Sequence, residues 1–263
     1  MIWGAIIGDI VGSRFEFHNI KTKDFDLFTK DCFFTDDTVM TIAVAKAIQR
    51  NGCKVKGLEK MTKIWLKIMG NVYKNAGYGA MFNWWLSSAN SKPYNSFGNG
   101  SAMRVSMCGY VGKDLKETLK FTDAVTKVTH DHPEGLKGAR AIATAIFMAR
   151  NGYSKELIKE YIEDNFYKLD FTLDEIRPSY KFNETCQDTV PQAIRCFYEA
   201  KNFEDTIRNA ISIGGDSDTL CAIACSIAEA YWGVPEYMKQ IATTYLDKDL
   251  NVLVQEIEDE QIT

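Results

Sequence analysis

The sequence predicts an all-α protein, folded as one compact domain over residues 1–263. Three observations lead there. Apolar residues recur near the 3.6-residue period in segment after segment, and alternating strand runs are nearly absent. No repeat, low-complexity tract or composition break marks a linker. A chain of this length has ample surface to bury in its own core.

The first helix is expected over Ile2–Ser13, where Gly4, Gly8 and Gly12 stand four apart and so share one side. Such a side lets a second helix approach closely. Thr38–Arg50 reads as a helix closed by Asn51-Gly52. Leu58–Met69 repeats Leu58, Met61, Trp65 and Ile68 at helical spacing. Gly79–Ser88 carries Phe82, Trp84, Trp85 and Leu86 and is expected to be helical, with the two tryptophans in the core. Residues 89–100 are polar and rich in Gly, Asn and Ser, which marks a loop. Further helices are expected at about 114–128, 134–150, 154–165, 187–200, 203–211, 219–231 and 235–246. Residues 15–34 show no clear pattern.

Composition excludes several classes. With 46% hydrophobic and 25% charged residues the chain is ordinary globular protein. A net charge of −4 argues against a general nucleic-acid binder, which carries a basic face. The seven cysteines are scattered, odd in number and without a Cys-x-x-Cys pair, so they read as reduced thiols of a cytoplasmic protein. Asp9 interrupts the first apolar run, which makes a poor signal peptide, and no run is long enough to span a membrane.

Chemistry concentrates at two helix starts. Thr35-Asp36-Asp37-Thr38 precedes one small-residue apolar helix, and Gly215-Asp216-Ser217-Asp218-Thr219 precedes another. Capping accounts for one Asp at each start, since Asp and Thr are preferred caps and the helix dipole favours negative charge there. It does not account for two, because adjacent carboxylates beside a buried helix repel unless a cation lies between them. Oxygen donors of this kind suit Mg²⁺, Mn²⁺ or Ca²⁺ rather than zinc. On the residues alone, caps and a metal site remain equally open.

The remaining motifs are weaker. Glu16 reads either as a solvated acid or as a carboxylate shielded by Phe15, Phe17 and Phe25. Ala76-Gly77-Tyr78-Gly79 and Ser96-Phe97-Gly98-Asn99-Gly100-Ser101 are turns before helices, either ordinary turns or cradles whose N–H groups meet phosphate. His130 and His132 lack the partners of a zinc site, so a ligand contact or a helix cap is expected of them. Cys221 and Cys225, four apart, read as a buried small pair.

Taken in order, these motifs resemble the ADP-ribosylglycohydrolase family. The resemblance rests on Gly8-Asp9-x-x-Gly12 with Glu16, Thr35-Asp36-Asp37-Thr38, Gly77-Tyr78-Gly79, Ser96 through Arg104, Thr129-His130-x-His132-Pro133 and Gly214-Gly215-Asp216-Ser217-Asp218-Thr219. It runs from residue 4 to about 235. It implies a compact orthogonal helical bundle holding two Mg²⁺ or Mn²⁺ ions. The ligands it implies are Thr35, Asp36, Asp37, Asp216, Asp218 and Thr219. Glu16 is implied as the acid near the scissile bond, with Asp36 and Asp37 next in line for proton transfer. Gly77, Tyr78, Gly79, Asn99, Gly100 and Ser101 would hold the diphosphate and proximal parts of ADP-ribose, while Phe97 and His132 line the pocket.

The implied function is metal-dependent hydrolysis of the glycosidic bond between ADP-ribose and a protein or small-molecule acceptor, by a monomer, releasing ADP-ribose. ADP-ribose binding without turnover and a crystallin-like structural role are the alternatives. No sequence feature selects arginine, serine or another acceptor.

Overall fold

The computed structural model describes residues 1–259, so the last four positions of the expected domain lie outside the described residues. Fourteen α-helices carry these residues: α1 (Trp3–Gly12), α2 (Asp36–Arg50), α3 (Leu58–Val72), α4 (Ala80–Ser87), α5 (Ser106–Val111), α6 (Leu115–Thr126), α7 (Pro133–Arg150), α8 (Lys155–Asn165), α9 (Leu173–Ile176), α10 (Cys186–Glu199), α11 (Phe203–Ile213), α12 (Ser217–Trp232), α13 (Glu236–Ala242) and α14 (Lys248–Asp259). Among the described residues there is no strand, only an isolated bridge between Gly98 and Thr185. None of these helices is long and apolar enough to cross a membrane.

The centre of the bundle is the pair α1 and α12. Every residue of α1 is buried. Its glycines are what make that possible. A Cβ on Gly4 would lie 2.2 Å from the Cys225 carbonyl oxygen, one on Gly8 2.5 Å from that of Cys221, and one on Gly12 2.6 Å from the Asp218 Cα. Only hydrogen fits between the two backbones, as the four-residue glycine spacing predicts. Helices α7, α10 and α11 pack on the other sides of α12, and α2 is flanked by α3 and α14. One continuous apolar core joins them, filled by Trp85, Phe121, Phe197 and the isoleucines of α1 and α2.

Four departures from the expected elements have physical causes. Helix α5 is short and sealed under α7, where Gly109 admits the Ile146 side chain. Helix α9 is a single turn made by the capping box of Thr172 and Glu175. The helix expected to reach residue 246 stops at Ala242, where a turn begins. After it comes α14, which repeats Leu250, Val254 and Ile257 against the core. The fully buried Lys46 ammonium on α2 reaches Glu256 of α14 at 2.8 Å and pins that last helix. Trp85 is core as expected, but Trp84 is 63% exposed.

Candidate functional site

A cavity of about 630 Å³ opens where the first turns of α2 and α12 meet the turns at 76–79 and 96–100. Its volume is that of a small-molecule site. Both acidic helix starts begin earlier than the periodicity indicates: Asp36 and Asp37 are the first two residues of α2, and Asp216 is the N-cap of α12.

None of these acids caps its own helix. Thr35 does so for α2, its hydroxyl accepting from the Asp37 N–H at 3.3 Å. Asp216 makes no side-chain cap bond. Its Oδ2 instead accepts from the Asn99 amide at 2.7 Å. Capping therefore explains neither pair.

A fifth aspartate completes the group. Asp9, fully buried on α1, accepts from the Thr35 N–H at 2.8 Å, the Thr35 hydroxyl at 2.7 Å and the Thr38 N–H at 3.0 Å. The carboxylates of Asp9, Asp37 and Asp218 place oxygens within 4.8 Å of one another, as do those of Glu16, Asp216 and Asp218. Asp218 belongs to both triplets. Asp37 Oδ1 and Asp218 Oδ1 are buried with no hydrogen-bond partner. Among the described residues no Lys or Arg pairs with any of these acids.

The electrostatics follow from that crowding. Burial first, and neighbouring carboxylates second, push Asp36, Asp37 and Asp218 well above the usual range. Burial raises Asp9 to about 6 against the hydrogen bonds it accepts. It raises Asp216 to about 6 likewise, and Glu16 to about 8 with help from Asp218, Asp9 and Glu184. Buried oxygen donors without a counter-charge are costly unless a hard cation joins them. The donor set, all oxygen and doubly anchored on rigid helices, fits such a cation.

Glu16 follows a 3-10 turn, Ser13–Phe15, and faces the cavity half-buried. Its shielding differs in part from expectation. Phe15 is buried with Phe25 edge-on at 5.2 Å, whereas Phe17 is 75% exposed and stacks on Phe182 at 5.9 Å. The segment after Glu16 is tied down by Asn19, which donates to the Gly215 carbonyl at 2.9 Å and accepts from the Gly215 N–H at 2.7 Å.

Thr35, Asp36, Asp37, Asp216, Asp218 and Thr219 all reach the cavity wall, together with Glu16, Gly77, Gly79, Phe97, Asn99 and Gly100. Gly77 holds φ +103°, a conformation that glycine adopts freely, and turns the chain under Asp36. Tyr78, Ser101 and His132 lie outside that wall. The Tyr78 ring packs on Phe82 at 5.3 Å in the core. The Ser101 hydroxyl donates to the Gly135 carbonyl at 2.8 Å. His132 caps α7, its Nδ1 accepting from the Glu134 N–H at 3.1 Å, with its ring 5.2 Å from Phe97. The histidine in the wall is His130. Asp9 and Glu184 thus join the site unassigned from sequence, and Asp9 had a signal: a carboxylate inside an otherwise apolar buried helix requires employment.

An all-α bundle thus assembles paired carboxylate triplets beside a cavity of small-molecule size. The ADP-ribosylglycohydrolase family model matches residues 1–262, and this chain belongs to that family. Membership indicates hydrolysis of ADP-ribose linkages. Human ADP-ribosylhydrolase ARH3 is 25% identical, over 94% of this chain and 89% of its own length. The ADP-ribosyl-[dinitrogen reductase] glycohydrolase of Rhodospirillum rubrum is 22% identical, over 89% of this chain and 84% of its own. A solved ADP-ribosylglycohydrolase-related protein complex shares the fold with a TM-score of 0.70 at 19% identity, covering 97% of this chain and 94% of that one.

Proposed function

We propose that this chain, acting as one catalytic domain, removes ADP-ribose from a protein or small-molecule acceptor with two bound Mg²⁺ or Mn²⁺ ions. The observation that carries the reading is the pair of acid triplets sharing Asp218, with the buried oxygens of Asp37 and Asp218 left unpartnered. Thr35, Asp36, Asp37, Asp216, Asp218 and Thr219 would hold the ions, with Asp9 orienting Thr35. Bound there, such ions would neutralise the acids and supply Lewis-acid stabilisation of an ionised water.

Cleavage of a ribosyl bond passes through an oxocarbenium-like state and needs a proton on the departing atom and a base for water. Glu16 suits both roles in turn. Half-buried at the cavity wall, its carboxyl can give a proton to the departing atom, and the carboxylate so formed can accept the proton of the attacking water. Gly77, Gly79 and Gly100 bring backbone to the cavity wall, where N–H groups can meet the diphosphate, while Asn99, its N–H given to the Glu184 carbonyl, holds that turn in place. Phe97, 43% exposed there, offers a face for the adenosine end.

The test is a panel of arginine-, serine- and other-linked ADP-ribosyl substrates assayed with and without chelator. Release of ADP-ribose that needs Mg²⁺ or Mn²⁺ is expected from at least one linkage. Saturable ADP-ribose binding with no turnover across the panel would leave only the binding-module reading. Absence of both binding and turnover defeats the proposal.

A further inference from the structure

The guanidinium of Arg104 is only 1% exposed, yet among the described residues it faces no carboxylate at ion-pair distance. Its Nη2 donates to the Thr129 hydroxyl at 2.6 Å, its Nε has no partner, and its Cζ lies 5.8 Å from the Phe82 ring centroid. A buried unpaired cation is expensive, which calls for a purpose.

The Thr129 hydroxyl lies 2.7 Å from His130 Nδ1. His130 is 5% exposed and lines the cavity, and its other ring nitrogen is Nε2. That atom is 3.7 Å from the points where a Cβ would stand on Gly98 and on Gly100. The Tyr94 ring lies with its centroid 5.9 Å away.

Donor arithmetic then fixes the ring. A guanidinium only donates, so it occupies a lone pair of the Thr129 oxygen. The hydroxyl proton needs an acceptor, and His130 Nδ1 is the one within reach. Nδ1 must be the bare nitrogen, and the ring proton sits on Nε2. The neighbouring positive charge also opposes a second ring proton, so burial and Arg104 together hold His130 well below its ordinary pKa.

We propose that Arg104, through Thr129, is a positioning residue that keeps His130 neutral with its Nε2–H aimed at the Gly98–Gly100 turn, as a donor for an anionic group bound there. This rests on reading the cavity as an ADP-ribose site, where the diphosphate is the anion. A bare Nε2 would set a lone pair against a phosphate oxygen. The fixed tautomer sets a donor there instead, and the Arg104 charge reinforces the attraction without entering the cavity.

The experiment begins with the unliganded protein. Long-range ¹⁵N–¹H correlation spectra resolve its three histidines, with His130→Gln giving the assignment. A neutral Nε2–H ring on His130 at pH 7, still uncharged at pH 6, is expected. An Nδ1–H ring, or an imidazolium at pH 6, overturns the proposal whether or not ADP-ribose binds. Thr129→Val removes the relay at nearly constant volume, and Thr129→Ser restores the hydroxyl. Thr129→Val is expected to release the tautomer and weaken ADP-ribose on the order of tenfold, the value of a hydrogen bond to a charged group. Thr129→Ser should be parent-like in both. A Thr129→Val protein with parent tautomer and parent affinity also overturns it. If the parent shows the expected ring but binds no ADP-ribose at millimolar concentration, the ligand reading falls while the relay stands.

Discussion

The Thr219 hydroxyl donates to Asp37 Oδ2 at 3.0 Å, joining the first turns of α12 and α2 across the cavity floor, while Asp37 Oδ1 is left buried with no partner. One half of the carboxylate is anchored and the other is presented. That division is how a rigid ligand is made: the anchored oxygen fixes the side chain, and the free one waits for charge.

Metal analysis bears on this directly. Protein equilibrated with Mg²⁺ or Mn²⁺ and then desalted should retain two divalent ions per chain, and Asp37→Ala or Asp218→Ala should lose retention along with at least about a hundredfold of activity. Zinc as the retained ion, or no ion after supply, counts against the site.

Acidity should govern the metal-free protein in an unusual sense. Asp9 and Asp216 are raised to about 6 and Glu16 to about 8, from ordinary values near 4. Between those limits the folded chain binds more protons than the unfolded one, so stability from these groups is fully present below pH 4 and is lost as pH rises through 6 to 8. In chelator, Tm should fall from pH 5.5 to pH 8, and the Tm gain on adding Mg²⁺ should grow over the same range, since protons and metal compete for the same oxygens. A flat or rising metal-free Tm contradicts it.

Glu16→Gln separates chemistry from binding. The amide is nearly isosteric, so fold and most ADP-ribose affinity should persist in calorimetry with Mg²⁺. Turnover should drop at least about a hundredfold. Turnover within a few-fold of the parent would pass the proton-transfer role to Asp36 or Asp37.

Packing gives a metal-independent check. Gly8→Ala drives a methyl to 2.5 Å from the Cys221 carbonyl oxygen and should cost roughly 1–3 kcal/mol or more of stability, read from urea midpoints. Gly79→Ala meets nothing within 4 Å at an ordinary φ of −59° and should be neutral or slightly stabilising. Equal stability losses for both would show that the close approach is not what the glycines serve.

The sequence made helices such as α3 and α7 legible through their long periodic faces, but α14, equally periodic at Leu250, Val254 and Ile257, was not anticipated. It concealed α5 and α9, because six and four residues are too few to display a period. The acid boxes were visible as chemistry because two adjacent carboxylates exceed what a cap requires. Asp9 was harder to see, since its hydrogen-bond partners Thr35 and Thr38 arrive from another helix. The choice between His130 and His132 was not readable either. Both stand in one loop, and only the closure of α7 on His132 leaves His130 to the cavity.

The glycine seam also sets the timing of assembly on the ribosome. Helix α1 is made first, and the α12 surface that fills its glycine face lies roughly 200 residues downstream. At typical elongation rates the nascent chain carries that apolar helix without its mate for on the order of 10–40 s. Until then Asp9 has no Asp218 to crowd it, so the same late docking event seals the bundle and forces its carboxylates together. A ribosome stalled before residue 217 should therefore hold a chain whose first helix is captured by holdase chaperones, and one stalled after α12 has emerged should not.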